Sequence, residues 1–277
     1  MLLRAFAKIN LDLRILGKRA DGFHEVRTVF QSIDWFDEII IEPAGRFEFS
    51  ATAGPEDETN LVVKAVRLFE RSGRRANVRI ALHKNVPSGA GLGGGSSDAM
   101  AAFIGLSRFF GVETRFDLAR SLGSDVYFFA YGGRALGTGR GDEIQPLQDE
   151  TDYWLVLVNP SVFISTAEAY SWLTVPYKTN SIEGFCAQFV PGSEPAELKN
   201  DFEMPVFARH PQLMEIRNDL LRTGAFRAAM SGSGSVMFGQ FHTREEAERA
   251  GAILGGRYSV KVTRPLSRTE YFSRMFG

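Results

Sequence analysis

Apolar residues recur with period two in some segments of this chain and with period 3.6 in others. The two kinds of segment do not alternate regularly, which predicts an α+β fold. Two further observations shape that expectation. A glycine-rich loop, Pro87-Ser-Gly-Ala-Gly-Leu-Gly-Gly-Gly-Ser-Ser97, runs straight from a strand pattern into a helix pattern. A polar stretch, Gln148-Asp-Glu-Thr-Asp152, precedes a fresh apolar run, Trp154-Leu-Val-Leu-Val158. The chain length of 277 residues suits one large domain or two modest ones, and the polar stretch divides it into expected domains 1–150 and 151–277.

Residues 2–16 alternate loosely, with Ile9, Leu11, Leu13 and Ile15 in phase, as a strand does. The run from Gly17 to Gly22 supplies a turn. Further strands are predicted at 26–33, 37–41 and 47–49. Leu61, Val62, Ala65, Val66, Leu68 and Phe69 give a helix over 60–71. A strand at 78–82 feeds the glycine loop, whose helix carries Met100, Phe103, Leu106 and Phe110 and stops at Gly111. A helix over 116–122 follows, then a hairpin over 134–146 turning at Gly137-Thr-Gly-Arg-Gly141. The second half holds helices near 165–173, 210–223 and 243–254. Its remaining strands are predicted at 228–230, 236–240 and 258–263, with a small-residue loop, Ser231-Gly-Ser-Gly-Ser235, between the first two.

A loop so rich in glycine loses much entropy on folding, so something must require bare backbone there. Where such a loop opens a helix, its free N–H groups and the positive end of the helix dipole make an anion site. No lysine follows in the order GxxxxGK[ST], which excludes the nucleotide P-loop. Gly89 to Gly94 matches GxGxxG literally. Pro87 and Ser88 nevertheless separate it from the strand, and the loop runs beyond the sixth position, unlike a Rossmann turn. A flexible linker does not run directly from a strand into a patterned amphipathic helix. The reading that stands is a phosphate cradle.

Composition sets the outer bounds. A hydrophobic content of 44% supports a sizeable core. Lys and Arg number 32 against 33 Asp and Glu, a formal net charge of −1, so there is no electrostatic reason to expect nucleic-acid binding. Cys186 is the single cysteine, which excludes an intrachain disulfide and a thiolate metal cluster. The apolar stretch at the N-terminus is too short for a signal peptide, and no run approaches the ~18 residues that span a bilayer. A soluble cytoplasmic protein is expected, as a monomer or homodimer with neither nucleic-acid nor membrane partner.

Four segments resemble the GHMP kinase superfamily. They are Ala7-Lys-Ile-Asn10, the glycine loop 87–98, Gly123-Ser-Asp-Val126 and Met230-Ser-Gly-Ser-Gly-Ser235. Ala7-Lys-Ile-Asn-Leu11, Arg19-Ala-Asp-Gly-Phe-His-Glu25 and Val29-Phe-Gln31 are similar to one branch of it. That branch phosphorylates the 2-hydroxyl of a cytidine-diphosphate-linked polyol with ATP, in the non-mevalonate route to isoprenoids. The resemblance implies a first domain of the ribosomal protein S5 domain 2-like type and a ferredoxin-like second domain, with ATP and Mg²⁺ in the cleft between them.

The resemblance also implies roles residue by residue. Pro87, Ser88, Gly89, Ala90, Gly91, Leu92, Gly93, Gly94, Gly95, Ser96 and Ser97 would hold ATP phosphates, through backbone N–H groups and the two serine hydroxyls. Asp98 is a candidate Mg²⁺ ligand or a plain helix-start residue. Phosphoryl transfer rests on positioning and charge stabilisation. Asp125 is the implied general base, against the reading of a turn aspartate. Lys8, otherwise a solvent-facing strand lysine, would keep that carboxylate ionised and stabilise the developing alkoxide.

By the same resemblance Asn10, Phe23 and His24 would fall on the substrate side, with His24 bonding the cytosine and Phe23 stacking on it. Phe23 stands where tyrosine is more usual, keeping the stacking face and losing the hydroxyl. Tyr170 is the candidate for the other side of that sandwich, or a core-facing helical tyrosine. Thr166 either caps its helix or touches substrate phosphates. Ser231, Gly232, Ser233 and Gly234 would form a second phosphate loop. Tyr127 departs from the proline common after the Asp-Val pair. A kinase for homoserine or mevalonate would share the glycine loop, but the Asp21-Gly-Phe-His24 block argues against it. A catalytically silent nucleotide-binding relative is expected to lack Lys8 or Asp125, and both are present.

Overall fold

The computed structural model describes residues 1–71, 73–173, 185–186, 189 and 198–277. Its first sheet has six strands: β1 (Leu2–Lys18), β2 (His24–Pro43), β3 (Glu48–Ala51), β4 (Val78–His83), β5 (Arg134–Thr138) and β6 (Glu143–Pro146). β2 is the hub. It pairs antiparallel with β1 along nearly its whole length, and on its other edge with β5 and then β4. The strands expected at 26–33 and 37–41 are therefore one. Asp34 and Asp37 interrupt the apolar pattern, but each has partners: Arg274 holds Asp34 through two 2.8 Å bonds, and Val86 N–H donates to Asp37 Oδ1 at 2.8 Å. The ladder runs on past both.

Helices α1 (Leu61–Glu70) and α2 (Gly94–Phe109) pack against each other, and α2 lies on β1 and β2. Asn60 caps α1 by accepting from Val62 N–H at 2.9 Å. α2 is buried from Ser97 to Ser107. At Gly105 an added Cβ would meet Ile41 Cδ1 at 2.8 Å and Leu3 Cδ1 at 3.0 Å, so the missing side chain sets how closely helix and sheet approach. The helix expected over 116–122 is a short α3 (Phe116–Ala119) that tightens into a 3₁₀ turn at Arg120–Leu122. A second 3₁₀ segment, Ser124–Ala130, follows after Gly123.

The second sheet is antiparallel, built from β7 (Trp154–Asn159), β8 (Arg227–Met230), β9 (Met237–Phe241) and β10 (Ser259–Thr263) in the order β10-β7-β9-β8. With the first strand flanked by the fourth and third, that order is ferredoxin-like. Helices α4 (Thr166–Ser171), α5 (Glu203–Arg209) and α6 (Pro211–Arg222) connect β7 to β8, and α7 (Arg244–Gly255) connects β9 to β10. Leu213, Ile216, Leu220, Ala247, Ala250 and Leu254 from α6 and α7 fill its core. A separate cluster, including Ile9, Leu11, Leu155, Leu157 and Phe238, joins the two sheets. The result is a two-domain α+β protein.

α5 and α8 (Arg268–Met275) lie outside the sequence-based expectations. α5 carries Pro205 in its first turn, where a missing N–H does no harm. α8 is too polar to show an apolar stripe, yet its capping box, Ser267 with Glu270, is written in the sequence. It returns to the first sheet, with Tyr271 5.7 Å from Phe6 and its hydroxyl donating to the Phe129 carbonyl at 3.0 Å. Among the described residues no helix is long and apolar enough to cross a membrane. Gly105→Leu is expected to overpack this interface and lower stability by about 1–3 kcal/mol. Urea denaturation checks this, and an unchanged midpoint would mean that the interface has slack.

Candidate active site

Ala7, Ile9 and Leu11 enter the core between the sheets, so the alternate residues Lys8 and Asn10 face the cleft. Register shifts in the β1–β2 ladder, between Phe6 and Lys8 and between Asn10 and Asp12, flank these two positions. Such irregularities re-aim side chains next to sites. Lys8 is 2% exposed. Its Nζ donates to Asn10 Oδ1 at 2.6 Å and to the Gly91 carbonyl at 3.0 Å, and lies 3.3 Å from Asp125 Oδ2. Two hydrogen bonds and one ion pair thus surround the ammonium. Asp125 sits in the first turn of the 3₁₀ segment with 37% of its side chain exposed, so it is paired yet open to the cavity. Tyr127 packs under the Arg120 guanidinium, 4.2 Å from its ring centre, and leaves Asp125 in place.

The glycine loop is strapped to β1. Leu92 is buried, and its carbonyl accepts from Lys8 N–H at 3.0 Å. Pro87 to Gly91 and Gly93 to Ser96 line a cavity of ≈ 530 Å³. Gly93 takes a left-handed conformation (φ 67°) as the N-cap of α2, and the N–H groups that follow lack intrahelical partners.

Two expectations for this loop are corrected. The Ser97 hydroxyl is buried and donates to the Phe6 carbonyl at 2.7 Å, so it fastens helix to strand instead of facing a phosphate. Asp98 also turns inward, where Lys84 Nζ bonds its Oδ2 at 2.7 Å and bonds Asp37 as well. It is not placed to hold a cation in the cavity, and among the described residues no group of three His, Cys, Asp or Glu side chains is placed to bind a metal. Burial pushes the Asp98 carboxyl up to about 7, against the lowering charge of Lys84.

The loop between β8 and β9 reaches the glycine loop from the second domain. The Ser231 hydroxyl donates to the Gly91 carbonyl at 2.9 Å and accepts from Asn10 N–H at 3.2 Å. A Cβ on Gly91 would lie 2.0 Å from the Ser231 carbonyl oxygen, so only glycine allows the contact. The expected second phosphate loop is therefore divided. Gly232 and Ser233 line the cavity, whereas Ser231 is a buried clasp and Gly234 packs toward Met230. Thr166 and Ser233 lie hydroxyl to hydroxyl at 3.2 Å, and both line the cavity. Ser165, not Thr166, caps α4.

Beside Lys8, Asn10 Nδ2 donates to Thr28 Oγ1 at 2.8 Å, and both residues line the cavity. Tyr170 is half-buried there, its ring edge-on to Phe202 at 4.9 Å. Burial pushes its hydroxyl up to about 12, with the charge of Asp125 acting in the same direction. The aromatic sandwich expected from Phe23 and Tyr170 is not assembled. The His24 ring itself stacks on Tyr170 at 4.6 Å, and burial, with Lys18 second, lowers its pKa. Phe23 is 55% exposed, stands outside the cavity wall and lies 4.9 Å under the Arg140 guanidinium. The turn before β2 turns this ring outward. Sequence reasoning did not single out Thr28, Phe163 or Arg140, all of which line the cavity.

The GHMP kinases N terminal domain model matches residues 60–133, and the GHMP kinases C terminal model matches residues 192–260. Fold and cleft thus define a GHMP kinase. A 4-diphosphocytidyl-2-C-methyl-D-erythritol kinase of Solibacter usitatus is 42% identical over 284 residues, covering 97% of this chain and 90% of that one. Its counterpart in Chlorobium limicola is 39% identical, covering 95% and 96%. A crystal structure of a 4-(cytidine 5'-diphospho)-2C-methyl-D-erythritol kinase superposes with a TM-score of 0.86 at 33% identity, over 96% of this chain and 99% of that one. At this likeness the chain belongs to the 4-diphosphocytidyl-2-C-methyl-D-erythritol kinase family. A homoserine kinase from Cytophaga hutchinsonii, with a TM-score of 0.67 at 18% identity over 94% of this chain and 95% of that one, shares the fold alone.

Lys84→Met would leave Asp37 and Asp98 buried without their cation. The expected loss is about 3–5 kcal/mol, read from the urea midpoint, and a stable variant would show that the two carboxylates share a proton instead. The pH dependence has a definite sign. Asp98 is raised from its ordinary 3.8 to about 7, so across that window the folded state holds a proton that the unfolded chain has released. Its contribution to stability therefore falls as pH rises through the window. Asp98→Asn is expected to flatten this part of the profile, measured between pH 5 and pH 8.

Proposed function

We propose that this protein transfers the γ-phosphoryl group of ATP to the 2-hydroxyl of 4-diphosphocytidyl-2-C-methyl-D-erythritol, a step toward isoprenoid precursors by the non-mevalonate route. The observation that carries the reading is the Lys8–Asp125 pair, 3.3 Å apart beside the N-terminal end of α2. Asp125 accepts the proton of the attacking hydroxyl. The new P–O bond forms as the bond to ADP breaks, and ADP carries away the leaving charge. Lys8 pairs with Asp125 and offsets the charge on the developing alkoxide. The backbone N–H groups around Gly94–Ser96 hold the phosphates, with the Ser96 hydroxyl beside them and Gly232 and Ser233 opposite.

Mg²⁺ fits this cavity chiefly as a partner of the phosphates themselves, the habit of an ion that keeps few protein ligands. Ser96 and Asp125 are among the protein oxygens on the wall that could face it, and it would neutralise phosphate charge there. The cytidine end of the acceptor belongs to the wall of Asn10, Thr28, Tyr170 and Phe202, with His24 behind Tyr170. A base stacks on Tyr170 once the imidazole swings aside. A formal net charge of −1 supports a small-molecule partner over nucleic acid, in a cytoplasmic monomer or homodimer.

Steady-state ADP release with this acceptor is the test. Asp125→Asn is expected to lower kcat by about 100-fold or more, as loss of a general base does. Lys8→Ala should lower kcat more than it raises either KM. Turnover of Asp125→Asn within threefold of wild type would remove the base assignment, and a wild type inactive with this acceptor would remove the substrate.

A further inference from the structure

Among the described residues, three charged side chains line the cavity: Lys8, Asp125 and Arg140. The first two form an ion pair, and Lys8 Nζ already donates to Asn10 Oδ1 and to the Gly91 carbonyl. An acceptor that carries a diphosphate therefore meets one lining cation with donors to spare. Arg140 Nη2 donates to Asp142 Oδ2 at 3.0 Å, which leaves most of the five guanidinium hydrogens available.

The hairpin places this cation on the acceptor wall. Arg140 stands in the turn between β5 and β6. Val26 N–H donates to the Gly139 carbonyl at 2.8 Å, and a Cβ on Gly141 would lie 3.7 Å from Val26 Cγ2. The turn thus rests on the start of β2, beside Phe23 and His24. The glycine loop is fastened elsewhere, to Lys8 of β1 and to Ser231. Phe23 supports one face of the guanidinium at 4.9 Å while Asp142 holds one edge, so the fork is oriented before a ligand arrives.

We infer that Arg140 binds the diphosphate of the acceptor and is the residue by which the site selects a nucleoside diphosphate over a bare nucleoside. The inference rests on the acceptor reading proposed above and adds to it a residue and a selectivity. A planar fork of donors suits paired phosphate oxygens better than a lysine does. It also gives Phe23 a purpose outside the cavity wall, as the support beneath the cation.

The test is calorimetric titration of CDP and of cytidine into the whole protein, with the ATP site filled by a non-hydrolysable ATP analogue. Wild type is expected to prefer CDP. Arg140→Ala should weaken CDP by about ten- to a hundredfold, the range for hydrogen bonds to a charged group, and leave cytidine unchanged. Arg140→Lys should recover part of the loss, and the acceptor KM should rise in step while the KM for ATP stays constant. Equal weakening of CDP and cytidine would overturn the inference, making Arg140 a prop for Phe23. Unchanged CDP binding in Arg140→Ala, or a wild type without preference, would overturn it too. A wild type that shows the Arg140-dependent CDP preference yet does not phosphorylate the acceptor would sink the proposed reaction and leave this site standing.

Discussion

The ammonium of Lys8 is the point at which three separately built parts of the chain meet. It donates to Asn10 on the same strand and to the Gly91 carbonyl, and it pairs with Asp125 in a 3₁₀ turn more than a hundred residues on. A charge so deeply buried is tolerable only while it is paired and hydrogen-bonded. Strand, glycine loop and turn are therefore locked into one mutual arrangement, and the arrangement that satisfies the cation also fixes where the Asp125 carboxylate stands.

The same loop is the junction of the two domains. Gly91 touches the backbone of Ser231 at a distance no side chain allows, and the Ser231 hydroxyl links that contact to Asn10 N–H. Below it, Asp37, Lys84 and Asp98 tie β2, the approach to the loop and the N-terminal half of α2 into one buried cluster. The glycine loop is thus backbone held from both sides by polar groups that stand outside the cavity wall. Preorganisation of this kind is what catalysis by positioning demands.

What was legible in the sequence was whatever is local. The glycine loop, its helix, the ferredoxin-like strands and the position of Lys8 on a strand follow from short contiguous patterns. The approach of Lys8 to Asp125 came from family resemblance, because no local rule brings two such distant residues together. Ser97 and Asp98 were misread although the signal was present: at about 100° per residue, the helix that points Ser96 outward must turn its successors toward the sheet. Ser231 was misread for a deeper reason, since its partners lie in β1 and the glycine loop. Phe23 and His24 were placed by motif alone, and their ring directions depend on how a turn enters β2. Arg140 was passed over because a glycine-flanked arginine in a hairpin looks like ordinary turn chemistry.

The return of α8 to the first sheet has a bearing on biosynthesis. β1 is translated well before the helix that covers part of it: Phe6 waits for Tyr271, and Leu3 for its bridge to Phe276. Contacts of such wide sequence separation form late and leave apolar strands exposed in the meantime. The strand that carries Lys8 therefore emerges from the ribosome as an aggregation hazard, and the final packing around it waits until translation has passed α8.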